Sequence, residues 1–153
     1  MATYDLTAAG GTTGHPANGR TPYLVENTVD FSSFDPAAND IVQMLDIPAE
    51  SIVMNAGLEV LTVSPSSVTL DMGDGDTVDI YVDGYDSTST GYATIHSDLA
   101  SVGKIYAAAD TIDIKVLGAQ DTSSKVRAWA VVCDISGIDE TDRNTDAQHD
   151  TAV

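Results

Sequence analysis

The feature that most limits what this chain can become is an alternation of apolar and polar residues with a period of two. It is longest in residues 51–76, SIVMNAGLEVLTVSPSSVTLDMGDGD. There Ile52, Met54, Ala56, Leu58 and Val60 alternate with residues able to face water, Ser64, Pro65, Ser66 and Ser67 form a turn, and Val68, Leu70 and Met72 resume the alternation. Successive side chains of a strand point to opposite faces, so the stretch predicts a β-hairpin with one buried face. The remainder reads as further strands that cover this face, flanked by polar arms.

Taken in order, residues 1–22 are rich in Gly, Thr, Ala and Pro and carry neither a strand nor a helix period. Two readings stand: a free tail, or an arm that orders on a neighbouring subunit with Tyr4, Leu6 and Tyr23 as anchors. Residues 23–31, YLVENTVDF, give a first strand, closed by Ser32, Ser33, Asp35 and Pro36. Residues 37–50 fit a short helix with Asn39 as N-cap, or a strand with Val42 and Met44 opposed to Gln43 and Asp46; the strand is preferred, and Pro48 ends either. The clearest alternation is TVDIYVDGY, with Val78, Ile80 and Val82 on one face and Asp79, Tyr81 and Asp83 on the other. Residues 84–103 are a long polar connection with a short extended piece at 92–95. Ile112, Ile114 and Val116 mark another strand, residues 118–124 a turn, and residues 125–135 a last strand. Val126, Ala128, Ala130 and Val132 line one face of that strand; Trp129, Val131 and Cys133 on the other make it apolar on both sides, hence central, with Trp129 a core or interface anchor. From Ser136 onward the chain is acidic and without period.

About seven or eight short strands with turns between them and no βα alternation specify an all-β fold, an antiparallel β-sandwich that is jelly-roll-like. The expected division is an extended N-terminal arm at 1–22, a β-sandwich domain at 23–138 and an acidic tail at 139–153. Only 6% of residues are aromatic against 42% hydrophobic, so the core should be aliphatic. The formal charge of −18, from six Lys and Arg against 24 Asp and Glu, repels phosphate backbones and anionic head groups, and argues against nucleic acid and membrane partners. No segment reaches the roughly 20 apolar residues that span a bilayer. The start lacks a signal-peptide pattern, and synthesis in a cytoplasm is expected. The single cysteine, Cys133, reads as a small buried hydrophobe.

A search for chemistry returns little. Asp71, Asp74, Asp76 and Asp79 crowd a turn with two glycines that could wrap a hard cation, but the spacing departs from an EF-hand loop and a solvated acidic turn is the preferred reading. His15, His96 and His149 stand far apart, without metal-ligand spacing. His96, Ser97 and Asp98 are adjacent and so cannot adopt triad geometry. Neither a nucleophile elbow nor a phosphate-binding loop is present. The expectation is no catalytic residue, no cofactor and no metal. Lys115, Lys125 and Arg127 should pair across strands with the abundant aspartates, and Arg20 and Arg143 belong to the arms.

ATYDLTAAGGTTGHP, TPYLVENTVDF, the IPA at 47–49, LDMGDGD and YAAADTIDIKV together resemble the capsid decoration, or cement, proteins of tailed bacteriophages. The resemblance covers most of residues 2–135. It implies a β-sandwich on the outer surface of the capsid, often a homotrimer, which binds the major capsid protein and staples neighbouring subunits; Tyr4, Leu6, Arg20, Tyr23 and Trp129 are the expected partner contacts. Two departures stand out: Glu50 and Ser51 replace a usual Gly-Thr turn, and an acidic tail follows Ile138. The competing reading is a receptor- or carbohydrate-binding β-sandwich of a phage fibre or surface appendage, with its site on the 84–103 connection around Tyr85 and Tyr92.

Overall fold

A computed structural model describes residues 1–5, 21–94 and 102–135. The strands are β1 (Thr3–Asp5), β2 (Tyr23–Asp30), β3 (Ile41–Ile47), β4 (Ser51–Thr62), β5 (Thr69–Gly73), β6 (Val82–Asp86), β7 (Gly91–Thr94), β8 (Lys104–Tyr106), β9 (Asp110–Leu117) and β10 (Lys125–Asp134). One sheet has the order β1-β3-β9-β5-β6. The second runs β2-β10-β4-β7, with β8 also paired to β4. All pairings are antiparallel except that of β1 with β3. The all-β antiparallel sandwich read from the alternation is the fold found. Two strands unmarked in the sequence, β1 and β8, are three residues each, too short for a period to register.

The core lies between the sheets. Val25, Val29, Leu58, Ala128, Ala130 and Val132 of the second sheet face Val42, Met44, Leu70, Met72, Ile112 and Ile114 of the first, and all are buried. It is aliphatic as expected, with Phe31, Tyr81 and Tyr106 as the buried aromatic residues. β10 is central, between β2 and β4, with Val126, Ala128, Ala130 and Val132 inward. Residues 41–47 form the preferred strand, and a bulge inside it explains why Met44 and Leu45 are both buried. Gln43 pairs with Asp113 and Leu45 with Ile112, so Met44 is the extra residue. Buried Asn27 on β2 donates from Nδ2 to the Met44 carbonyl at 3.0 Å, joining the two sheets through the core.

Four expectations are corrected. Residues 51–76 are not a hairpin: β4 and β5 lie in different sheets, and residues 63–68 cross between them. Period two says which residues face inward, not which strands pair, and SPSS is no tight two-residue turn. The inward set of β4 also changes phase. Val131 pairs with Asn55 and Val132 with Val53, so a bulge at Met54 turns Val53 inward, leaves Ile52 half-buried and exposes Met54. TVDIYVDGY is mostly a turn, because the strand begins only at Val82 and Tyr81 is buried rather than outward. Cys133 is half-buried on the outer phase of β10, not in the core.

Glu50 takes φ +57°, the left-handed region in which glycine is free of steric cost. Replacement of Glu50 by glycine should raise the unfolding free energy by about 0.5–1 kcal/mol in urea denaturation. Asn27→Ala leaves the Met44 carbonyl without its side-chain donor in the core, and should cost about 1–3 kcal/mol by the same measurement.

Candidate functional site

The acidic turn is the densest cluster of ionisable groups that the fold assembles. Asp71 projects from β5 opposite a bulge in β6, where Leu70 pairs with Tyr85 and Met72 with Val82. Its carboxylate accepts from the Gly84 N–H at 2.8 Å, at the residue whose φ of +63° lets the bulge form. Asp74 follows β5 and caps the turn, accepting from the backbone N–H groups of Asp76 (3.1 Å) and Thr77 (2.9 Å). From the other sheet, β8 directs Lys104 and Tyr106 to the same carboxylate, because they pair with inward Val53 and Ser51. Lys104 forms an ion pair with Asp74, and the Tyr106 hydroxyl donates to Asp74 Oδ2 at 2.8 Å. Tyr81 lies 2.7 Å from the Tyr106 oxygen. The Tyr106 proton is already given to Asp74, so Tyr81 is the donor in that pair.

These bonds fix the electrostatics. Burial alone would raise the Asp74 pKa, but Lys104, the Thr77 N–H and Tyr106 outweigh it and hold the group below its ordinary 3.8. Asp71 is raised, first by burial and then by the charges of Asp83 and Asp79 against the Gly84 N–H and Lys115. Burial drives the Tyr81 and Tyr106 hydroxyls upward. A carboxylate made more acidic and phenols made less so are poor proton-transfer groups near neutral pH, so the cluster acts as a clasp between the sheets.

The solvated-turn reading is therefore corrected. Asp76 and Asp79 are exposed, whereas Asp71 and Asp74 are buried and committed to internal hydrogen bonds. The four carboxylates do not converge: among the described residues no group of three or more His, Cys, Asp or Glu could hold a metal ion. Sequence reasoning missed Lys104, Tyr106 and Tyr81. They lie on a three-residue strand and inside a turn mistaken for a strand, and only the tertiary fold brings Lys104 across to Asp74.

Of the cross-strand cations, Arg127 is paired with a glutamate, Glu59, its register partner on β4, whereas Lys115 and Lys125 lie in register opposite the aspartates Asp71 and Asp30. Trp129 is on the outer face of the second sheet rather than in the core. Its ring lies over Gly57, where an added Cβ would come within 2.8 Å of Cζ2. Tyr23 is half-buried at the start of β2, and Tyr4 lies in β1 at the register of Val42. Leu6, Arg20, Arg143, His15, His96, Ser97, Asp98 and His149 lie outside the described residues. Tyr85 packs against the core and Tyr92 is 74% exposed on the second sheet, while residues 95–101 of that connection lie outside the described residues.

The outer faces of the two sheets differ. That of the first carries Gln43, Thr69, Asp71, Thr111, Asp113 and Lys115, with half-buried Ile41 and Leu117 at strand ends. On the second, Leu24 pairs with Val131, Cys133 with Ile52, and Ile52 with Ile105, so an apolar stripe runs across the strands beside Trp129. Leu24 and Ile105 within it are 51% and 58% exposed.

The clasp sets a pH dependence. The Asp74 pKa is depressed on folding, so its contribution is present above 3.8 and is lost as the pH falls through the lower folded value. Asp74→Asn should be less stable than the wild-type chain at neutral pH, with the gap narrowing below about pH 4 in urea titrations; a gap independent of pH would contradict this assignment.

No protein-family model matches the chain, and no curated protein matches it in sequence. Among solved structures, the fold is similar to that of a chain in the capsid of Ralstonia phage GP4, at a TM-score of 0.70 and 14% identity over 89% of this chain and 100% of that one. It is also similar to a chain in the acidic stable capsid of Helicobacter pylori bacteriophage KHP30, at a TM-score of 0.58 and 16% identity over 78% and 92%. A chain in the cyanophage Pam1 capsid asymmetric unit gives a TM-score of 0.58 and 17% identity over 83% and 96%. At these identities what is shared is the fold: an all-β sandwich also present in chains of three phage capsids.

Proposed function

We propose that this chain is a phage head decoration protein, which binds the outer surface of the assembled capsid and stabilises contacts between major capsid protein subunits. The observation that carries the reading is the likeness to the GP4 capsid chain over the whole of that chain's length. Nothing of that chain lies outside the likeness, so a sandwich of this size is itself a capsid component there. Charge supports the outer position. At −18 the chain is repelled by packaged nucleic acid, whereas the outside of a shell imposes no such cost.

The mechanism is linkage rather than catalysis. A protein that binds the closed lattice and not its separated subunits shifts stability towards the lattice. A homotrimer would place three arms across neighbouring subunits, and avidity would multiply weak single contacts; β1 holds Thr3–Asp5 against β3 of the same chain, so the reaching part of residues 1–22 is that beyond β1, with Leu6 and Arg20. β1 is an edge strand and β3 is paired with β9 on its other side, so the sandwich should fold without the arm. Deletion of residues 2–20 should leave a folded chain by circular dichroism that no longer co-sediments with capsid shells stripped of this protein. Undiminished co-sedimentation of the truncated chain would exclude the arm as the attachment device.

A further inference from the structure

We infer that the outer face of the second sheet is the docking surface of this chain, and that its occupant is a protein surface with an apolar centre and a basic rim, not a second copy of the chain. The inference rests on the decoration reading, for which it names the contact face.

An antiparallel sheet in water ordinarily alternates apolar inward with polar outward, and the first sheet does so apart from half-buried Ile41 and Leu117 at strand ends. The second does not. Leu24, Val131, Ile52, Ile105 and Trp129 form a connected stripe on its outer face, set by the register of four strands and not by an isolated surface residue. Clustered apolar surface of this kind, with an aromatic ring in it, marks the centre of a protein interface.

Charge selects the occupant. Glu26 flanks the stripe as the register partner of Trp129, and exposed Glu50 lies at its end, where the Ile135 N–H donates to the Glu50 carbonyl. The described residues of a second copy would bring little to answer these carboxylates. Among the described residues Lys104 is bound to Asp74, Arg127 to Glu59, and Lys115 is half-buried opposite Asp71, which leaves Lys125 as the exposed cation. A surface that presents Lys or Arg around an apolar patch gains from both features.

The test uses the full chain and capsid shells stripped of it. Leu24→Asn/Ile105→Asn removes apolar area at exposed positions, so its urea midpoint should match that of the wild-type chain, while its affinity for the shells should fall by about tenfold or more. Glu26→Gln/Glu50→Gln should bind more weakly at low salt and lose much of the salt dependence of the wild-type chain. A Gln43→Ala/Thr69→Ala pair on the outer face of the first sheet should bind as wild type. If the wild-type chain binds and both second-sheet variants bind equally well, the docking face is wrong and the decoration reading survives. If Leu24→Asn/Ile105→Asn instead lowers the native mass of the free protein, the face is a self-contact and the inference is overturned. A wild-type chain that does not bind the shells removes the decoration reading, and this inference with it.

Discussion

Two aliphatic sheets stack only if the turns and crossings that join their strands leave no polar backbone groups stranded, and in this molecule aspartate side chains close several of them. Asp74 caps the turn after β5 and binds Lys104 and Tyr106 of the opposite sheet. Asp121 is buried and accepts from the Ser123 and Ser124 N–H groups and the Ser124 hydroxyl. Asp40 takes the Ala37 N–H on one oxygen and the Ala2 N–H on the other, fixing the start of β1 beside β3. A short carboxylate that bonds backbone two or three residues along is the cheapest way to satisfy such a turn. Exposed turns repeat the device: Asp30 with Ser32, and Asp86 with Thr88.

This use of aspartate accounts for part of an otherwise puzzling composition. A net charge of −18 destabilises a compact chain by self-repulsion, yet the described residues contain only two Lys or Arg ion pairs, Lys104 with Asp74 and Arg127 with Glu59. Several carboxylates answer instead to backbone N–H groups, which stabilise the ionised form without a counter-charge. The charge that remains at the surface is a source of repulsion towards other anions.

Between the sheets the two inner faces are alike, and outside they are not. The polar outer face of the first sheet requires nothing beyond water. That of the second carries a stripe from Leu24 to Ile105 that a free-standing sandwich has no reason to expose. Trp129 belongs to that face because Gly57 leaves room for its ring. The two outer faces thus differ in the exposure of their apolar residues.

The sequence by itself determined the class of the fold and most of its inward residues. Ile112, Ile114 and Val116, or Val126 to Val132, alternate so regularly that burial of any other set would leave apolar side chains in water. Tertiary structure decided what alternation cannot encode. Strand partners depend on edges that become available far along the chain, which is why β4 and β5 part into separate sheets. Single-residue bulges at Met44 and Met54 reverse the phase of everything beyond them, and their positions follow from pairing rather than composition. The Asp74 clasp was half visible, as a dense acidic turn. Its meaning lay in Lys104 and Tyr106, which only the stacking of the two sheets brings to a buried carboxylate. Local periodicity reports which side of a strand water touches; contacts between distant residues arise only when the sheets close on each other.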